Sequence, residues 1–141
     1  MITNLNGNWK GIIIYGPEYR NLENKELYFS LEIKQEEETF TGTAIDTSGI
    51  GTNPDIAEVR GFIEANEISF VKQYKSTLWF DENYSVIIEK DKLGPEINYW
   101  GTFDPLTGTM EGNWEIVVDS QQIGQGYLDN ICTGTWTMRK E

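Results

Sequence analysis

An all-β fold, and within it a single antiparallel barrel of about eight to ten strands spanning residues 1–141, is what this sequence predicts. Three observations carry the prediction. Apolar and polar residues alternate over about nine short segments. No segment sustains the repeat of about 3.6 residues that an amphipathic helix needs. Glycine stands two positions before tryptophan in three places, Gly7-Asn8-Trp9, Gly112-Asn113-Trp114 and Gly134-Thr135-Trp136.

The first strand is "WKGIIIY", with Trp9, Gly11 and Ile13 on one face. From Leu27, "LYFSLEIKQ" sets Leu27, Phe29, Leu31 and Ile33 against Tyr28, Ser30, Glu32 and Lys34, the signature of a half-buried strand. After the turn residues Glu36 to Glu38, "TFTGTAID" gathers Phe40, Gly42, Ala44 and Asp46 on one face. "VRGFIEA" and "EISFVKQY" flank Ala65-Asn66 as a tight hairpin. "YSVIIE" (84–89) is a further strand. "INYWGTF" and "TMEGNWEIVV" flank "DPLTG", whose Pro105 and Gly108 form turns, and "TGTWTMR" closes the series. Gly16–Glu26, Thr47–Pro54, Lys75–Asn83 and Asp119–Ile131 read as irregular, and "GQG" (124–126) as loop. The one helical candidate is "NPDIAEV", with Asn53 as cap and Pro54 at the first helical position.

Parity decides between barrel and sandwich. Gly11, Gly42, Gly61, Gly101, Gly112 and Gly134 all fall on the apolar face of their strands, beside residues such as Trp9, Phe40, Tyr99, Trp114 and Trp136. Glycine weakens a strand interior, and it marks a sharp bend or a close approach of another group. A small closed sheet must coil strongly, and inward glycines permit this while leaving room for large rings. Gly-x-Trp therefore reads as a bend and a plug, and a barrel is expected.

Composition narrows the function classes. The net charge of −12 opposes phosphate and anionic-membrane binding, so neither nucleic acid nor membrane is expected as a partner. The acidic residues are scattered rather than blocked, which fits a surface that keeps the protein dispersed. Cys132 stands alone, so no internal disulfide is expected. The opening "MITNLNGNWKG" has neither a basic start nor an export-length apolar run, and a cytoplasmic location is the expectation. Asn83-Tyr84-Ser85 matches a glycosylation acceptor but carries no weight without export.

Gly7, Trp9 and the late basic residue Arg139 resemble the pattern of the lipocalins and the wider calycin barrels. The resemblance implies that Trp9 and Arg139 pack across one closed end of the barrel. The several strand tryptophans and repeated glycines are also similar to those of avidin-like barrels, in which indoles line a small ligand site. The absence of paired cysteines and of an export signal departs from the secreted lipocalins and leaves the intracellular members of the group open.

Catalytic chemistry is largely missing. With no histidine, Ser-His and Cys-His catalysis and the usual zinc sites fall away. "DTSGIGTNPD" lacks the alternating acidic pattern of a calcium loop, and its "GIG" lacks the rest of a dinucleotide fingerprint. No catalytic residue, metal or cofactor is expected.

One constellation breaks the alternation rule. In "SFVKQY", Lys72 lies on the apolar face between Phe70 and Tyr74, and Asp46 ends the face begun by Phe40. Either both charges sit at strand ends in water, or Lys72 anchors an acidic or carbonyl ligand, with Asp46 on the same rim and Tyr74 offering its hydroxyl. Trp9, Trp114 and Trp136 read as core plugs; Trp114, Phe70 and Tyr99 also supply the ring wall of such a ligand site. Trp100 has the opposite parity from Tyr99 and Phe103 and should face outward. With Trp79 in "TLWFDE", it is expected at a mouth or a dimer contact.

The leading expectation is a non-enzymatic binder of a small, largely apolar molecule held inside the barrel. The second is a filled barrel acting as an interaction or homodimerisation module. The third, an enzyme using Lys72, Tyr74 and carboxylates for proton transfer, ranks last.

Overall fold

The computed structural model describes residues 4–81, 83–123 and 126–141. The chain runs through β1 (Gly7–Tyr15), a 3₁₀ segment (Pro17–Leu22), β2 (Glu26–Glu36), β3 (Thr39–Gly49), β4 (Ala57–Glu64) and β5 (Glu67–Tyr74). It continues with β6 (Thr77–Phe80), β7 (Val86–Glu89), β8 (Ile97–Asp104), β9 (Thr109–Ile123) and β10 (Gly126–Lys140). Eight strands close an antiparallel barrel in the order β1-β10-β9-β8-β5-β4-β3-β2. β6 and β7 form a separate hairpin inserted between β5 and β8. No helix among the described residues is long and apolar enough to cross a membrane.

Short turns set the register. Glu36 pairs with Thr39, and Glu64 with Glu67, so two-residue turns join β2 to β3 and β4 to β5. Glu37 and Ala65 take the positive φ these turns require, at 57° and 53°. Between β8 and β9 the Asp104 carboxylate accepts from the Leu106 N–H at 2.9 Å, fastening the Pro105–Gly108 turn.

Three expectations are corrected. "NPDIAEV" forms no helical turn. The Asn53 N–H donates to Asp46 at 2.9 Å and its side-chain oxygen accepts from the Asp55 N–H at 2.9 Å. The segment is thus tied back to the barrel, and β4 starts at Ala57, leaving no room for a helix. The stretch Thr77–Phe80, read as irregular, is β6. Most of the described part of 119–131 is also strand: beyond the Ile116 and Gly134 pairings, β9 and β10 continue past their outer neighbours and pair only with each other. Residues 124–125 of "GQG" lie outside the described residues.

The inward glycines stand where parity puts them. A Cβ on Gly11 would strike the Phe29 ring, and one on Gly134 both the Ile14 carbonyl of the adjacent strand and the Trp114 ring. At Gly42, Gly101 and Gly112 the obstacle is a carbonyl of the adjacent strand, so at these positions strand-on-strand approach, more than ring space, demands glycine.

Strand direction separates two ends. One gathers Trp9, Ile33, Phe40, Ile63, Ile68 and Met138, all buried, with Leu5 above Trp9 accepting its indole N–H at 2.9 Å. Further in, Phe70 stacks on Tyr99 at 4.6 Å and 6°, and Trp136 meets Phe70 edge-on at 5.4 Å. The Trp136 N–H donates to the Asn113 carbonyl at 3.0 Å and the Trp100 carbonyl at 3.3 Å. Trp136→Phe is expected to cost about 2 kcal/mol through the lost bonds and volume, read as a lower urea midpoint; an unchanged midpoint would show the indole N–H to be idle. Arg139 is exposed on the outer face, so the Trp9–Arg139 packing implied by resemblance is absent. The opposite parity of Met138, which takes the inward place, is the reason.

Candidate functional site

At the other end the barrel is not filled. A cavity of about 350 Å³ opens there, with Lys72, Tyr74, Tyr99 and Trp114 among its walls. Its volume falls in the range of roughly 300–1,000 Å³ typical of small-molecule sites.

Period two on β5 sends Phe70, Lys72 and Tyr74 inward together, and Lys72 is only 2% exposed. Its Nζ sits 5.2 Å from the Phe29 ring centroid and 5.1 Å from those of Tyr74 and Tyr99. These ring faces attract the ammonium but replace little of its lost hydration. Burial therefore lowers the Lys72 pKa from its ordinary 10.5 to about 8, with the charge of Asp46 pulling the other way. Among the described residues the ion pairs are Lys10–Glu141 and Arg60–Glu96, both on the surface, and Lys72 belongs to neither.

Asp46 is 7% exposed, opposite Phe29 on β2, and the pairing of β2 with β3 slips immediately after it. Tyr28 opposes Ser48 while Phe29 opposes Asp46, which leaves Thr47 as a bulge. Both carboxylate oxygens are engaged: Tyr74 Oη donates to Oδ1 at 2.5 Å and the Asn53 N–H to Oδ2 at 2.9 Å. Burial first, and Asp46 second, push the Tyr74 hydroxyl well above its usual range. Asn53 is buried, and its Nδ2 has no hydrogen-bond partner among the described residues.

An aromatic cluster drapes the mouth. Tyr15 at the end of β1 meets Tyr19 of the 3₁₀ segment at 4.7 Å and Phe80 of β6 at 6.1 Å, both edge-on. Tyr19 also contacts Trp114 at 5.9 Å, and the Tyr15 hydroxyl donates to the Ile50 carbonyl at 2.7 Å. Three of the stretches read as irregular, Gly16–Glu26, Thr47–Pro54 and Lys75–Asn83, therefore contribute residues to the open end. Half-buried Cys132 lines the same cavity, its thiol pushed up chiefly by burial.

The structure brings Lys72, Tyr74, Tyr99 and Trp114 together around the cavity and sets Asp46 behind Tyr74. Phe70 lies one layer deeper, against Tyr99. Trp79 (43% exposed) stands on the hairpin at the cavity mouth, whereas Trp100 (41% exposed) is on the outer wall, beside a shallow groove with Asn113 and Thr135. Sequence reasoning missed Tyr15, Tyr19, Asn53 and Phe80. "GPEYRNL" mixes turn formers and charged residues, so no local signal marked Tyr19.

Among the described residues no group of three or more His, Cys, Asp or Glu side chains is placed to hold a metal ion. What the floor offers is hydrogen-bond donors and one amine set among rings. No protein-family model, curated protein or solved structure matches this chain.

Proposed function

We propose that the protein is a non-enzymatic, calycin-like carrier that binds one small, largely apolar molecule in the open half of its barrel. The observation behind this reading is Lys72, a charge kept at 2% exposure at the floor of a 350 Å³ aromatic-walled cavity. A fold selected only for stability gains nothing from that arrangement, because a buried unpaired charge is costly. The ligand's apolar body fits against Tyr99, Trp114 and Ile116, while a polar end reaches the floor. A single free cysteine, half-buried at this wall, suits a reducing compartment such as the cytoplasm.

The test is uptake of Nile Red, an uncharged apolar dye, by the whole chain and by Ile116→Phe. Ile116 lines the cavity and is partly buried, so a ring there takes ligand space without disturbing the packed end. Affinity is expected to fall by about tenfold or more, equivalent to about 1.4 kcal/mol. Dye binding that ignores the substitution, or no uptake by the parent protein, would refute the reading.

A further inference from the structure

We propose that Lys72 is a covalent attachment site: its amine condenses with an uncharged, apolar aldehyde that enters the cavity, giving an imine. The inference rests on the binding reading above and adds the chemical class of the ligand.

The polar inventory of the floor restricts what fits. Asp46 has both oxygens occupied by Tyr74 and Asn53. Two groups at the floor are donors without a partner among the described residues, the amine of Lys72 and the buried Asn53 Nδ2, while the Tyr99 hydroxyl beside them can donate or accept. An occupant that engages Lys72 must therefore bring an acceptor. A carboxylic acid is disfavoured because the protein carries a net charge of −12 and Asp46 already stands near the lysine. A carbonyl oxygen supplies the acceptor without the charge.

The same surroundings make the amine a nucleophile. Phe29, Tyr74 and Tyr99 enclose Nζ at 5.1–5.2 Å and exclude the water that would keep it protonated. The groups bearing on its charge are Asp46 on β3, Tyr74 on its own strand and Tyr99 on β8. With its pKa near 8, roughly a tenth of the amine is free at pH 7, about 300-fold more than at an ordinary lysine.

The step balances without another reactant. The Nζ lone pair attacks the carbonyl carbon, and the C=O π pair moves to oxygen. A proton passes from nitrogen to that oxygen, giving a carbinolamine. The C–O bond then breaks as C=N forms, and oxygen leaves as water. The second nitrogen proton passes to the departing hydroxyl oxygen, so amine and aldehyde become imine and water.

Cinnamaldehyde with cyanoborohydride at pH 7 traps the imine as a stable secondary amine, and peptide mass spectrometry locates it among the eight lysines. Lys72 is expected to label at least tenfold faster than any exposed lysine, and labelling at that peptide should vanish in Lys72→Met. Labelling that follows exposure alone overturns the proposal. Nile Red uptake separates the two readings: dye that enters while Lys72 stays unlabelled leaves a carrier without covalent chemistry.

Discussion

Gly112→Val is expected to prevent the barrel from forming, and even Gly112→Ala should cost about 3 kcal/mol or more. Gly101 and Gly112 pair directly across β8 and β9. A Cβ on Gly112 would strike the Trp100 carbonyl oxygen and stand 2.6 Å from Gly101 Cα. These obstacles are backbone, so no side chain can swing aside to relieve them. Moving the strands apart would disturb the two carbonyls that accept the Trp136 N–H. Native domains hold only about 5–15 kcal/mol in reserve, so valine, larger by two methyl groups, removes most of it. Gly108→Ala is the comparison: its φ of 72° is unfavourable for alanine, but nothing lies within 4 Å, and about 1 kcal/mol is expected. Urea denaturation of the two alanine variants gives the result; equal midpoints would show that the sheet relaxes easily at Gly112.

Lys72→Met should raise stability at pH 7 and flatten its dependence on pH. In the folded protein the lysine titrates near 8 rather than 10.5, so between these values the unfolded chain binds more protons. Stability of the parent protein must then climb as pH rises from about 8, and the full difference corresponds to about 3 kcal/mol. Tyr15, Tyr74 and Tyr99 act oppositely, since burial holds their protons on in the folded state. Above about pH 10 the unfolded chain sheds tyrosine protons first and stability declines, which places the maximum between pH 9 and 10 as a rough figure. Methionine removes the climb and fills the space with an uncharged chain, while Asp46 keeps the hydrogen bonds from Tyr74 and Asn53. Melting temperatures at pH 7, 8.5 and 9.5 decide the matter. A parent protein that weakens steadily from pH 7, or a variant that melts lower at pH 7, contradicts the account.

The barrel was legible because one physical rule, alternation, governs every strand that covers the core. The same rule set Lys72 and Asp46 on the apolar face and Trp100 outward, but it left open whether the two charges met water at strand ends; exposures of 2% and 7% put them inside. It failed where no core lies beneath the strand. β6 rests on the mouth, and the far parts of β9 and β10 pair only with each other, so neither needs a clean apolar face. Asn53 was read for its helix-capping chemistry, whereas its N–H is bound to Asp46, seven residues back and across the barrel end. The covering of the cavity depends on contacts such as Tyr15 with Phe80, which no local pattern encodes. Likewise Arg139 carried a family pattern by position, but its parity turns it to solvent.

The pairing of β1 with β10 has a kinetic consequence. Trp9 and Lys140 are register partners, so the ladder that seals the cylinder joins segments separated by nearly the whole chain. During synthesis seven barrel strands wait with a raw edge until the last one leaves the ribosome, and loop-closure entropy delays the final zippering. Refolding in milliseconds to seconds is therefore the natural timescale, and a chaperone that shields the β1 edge would act at the step that matters most.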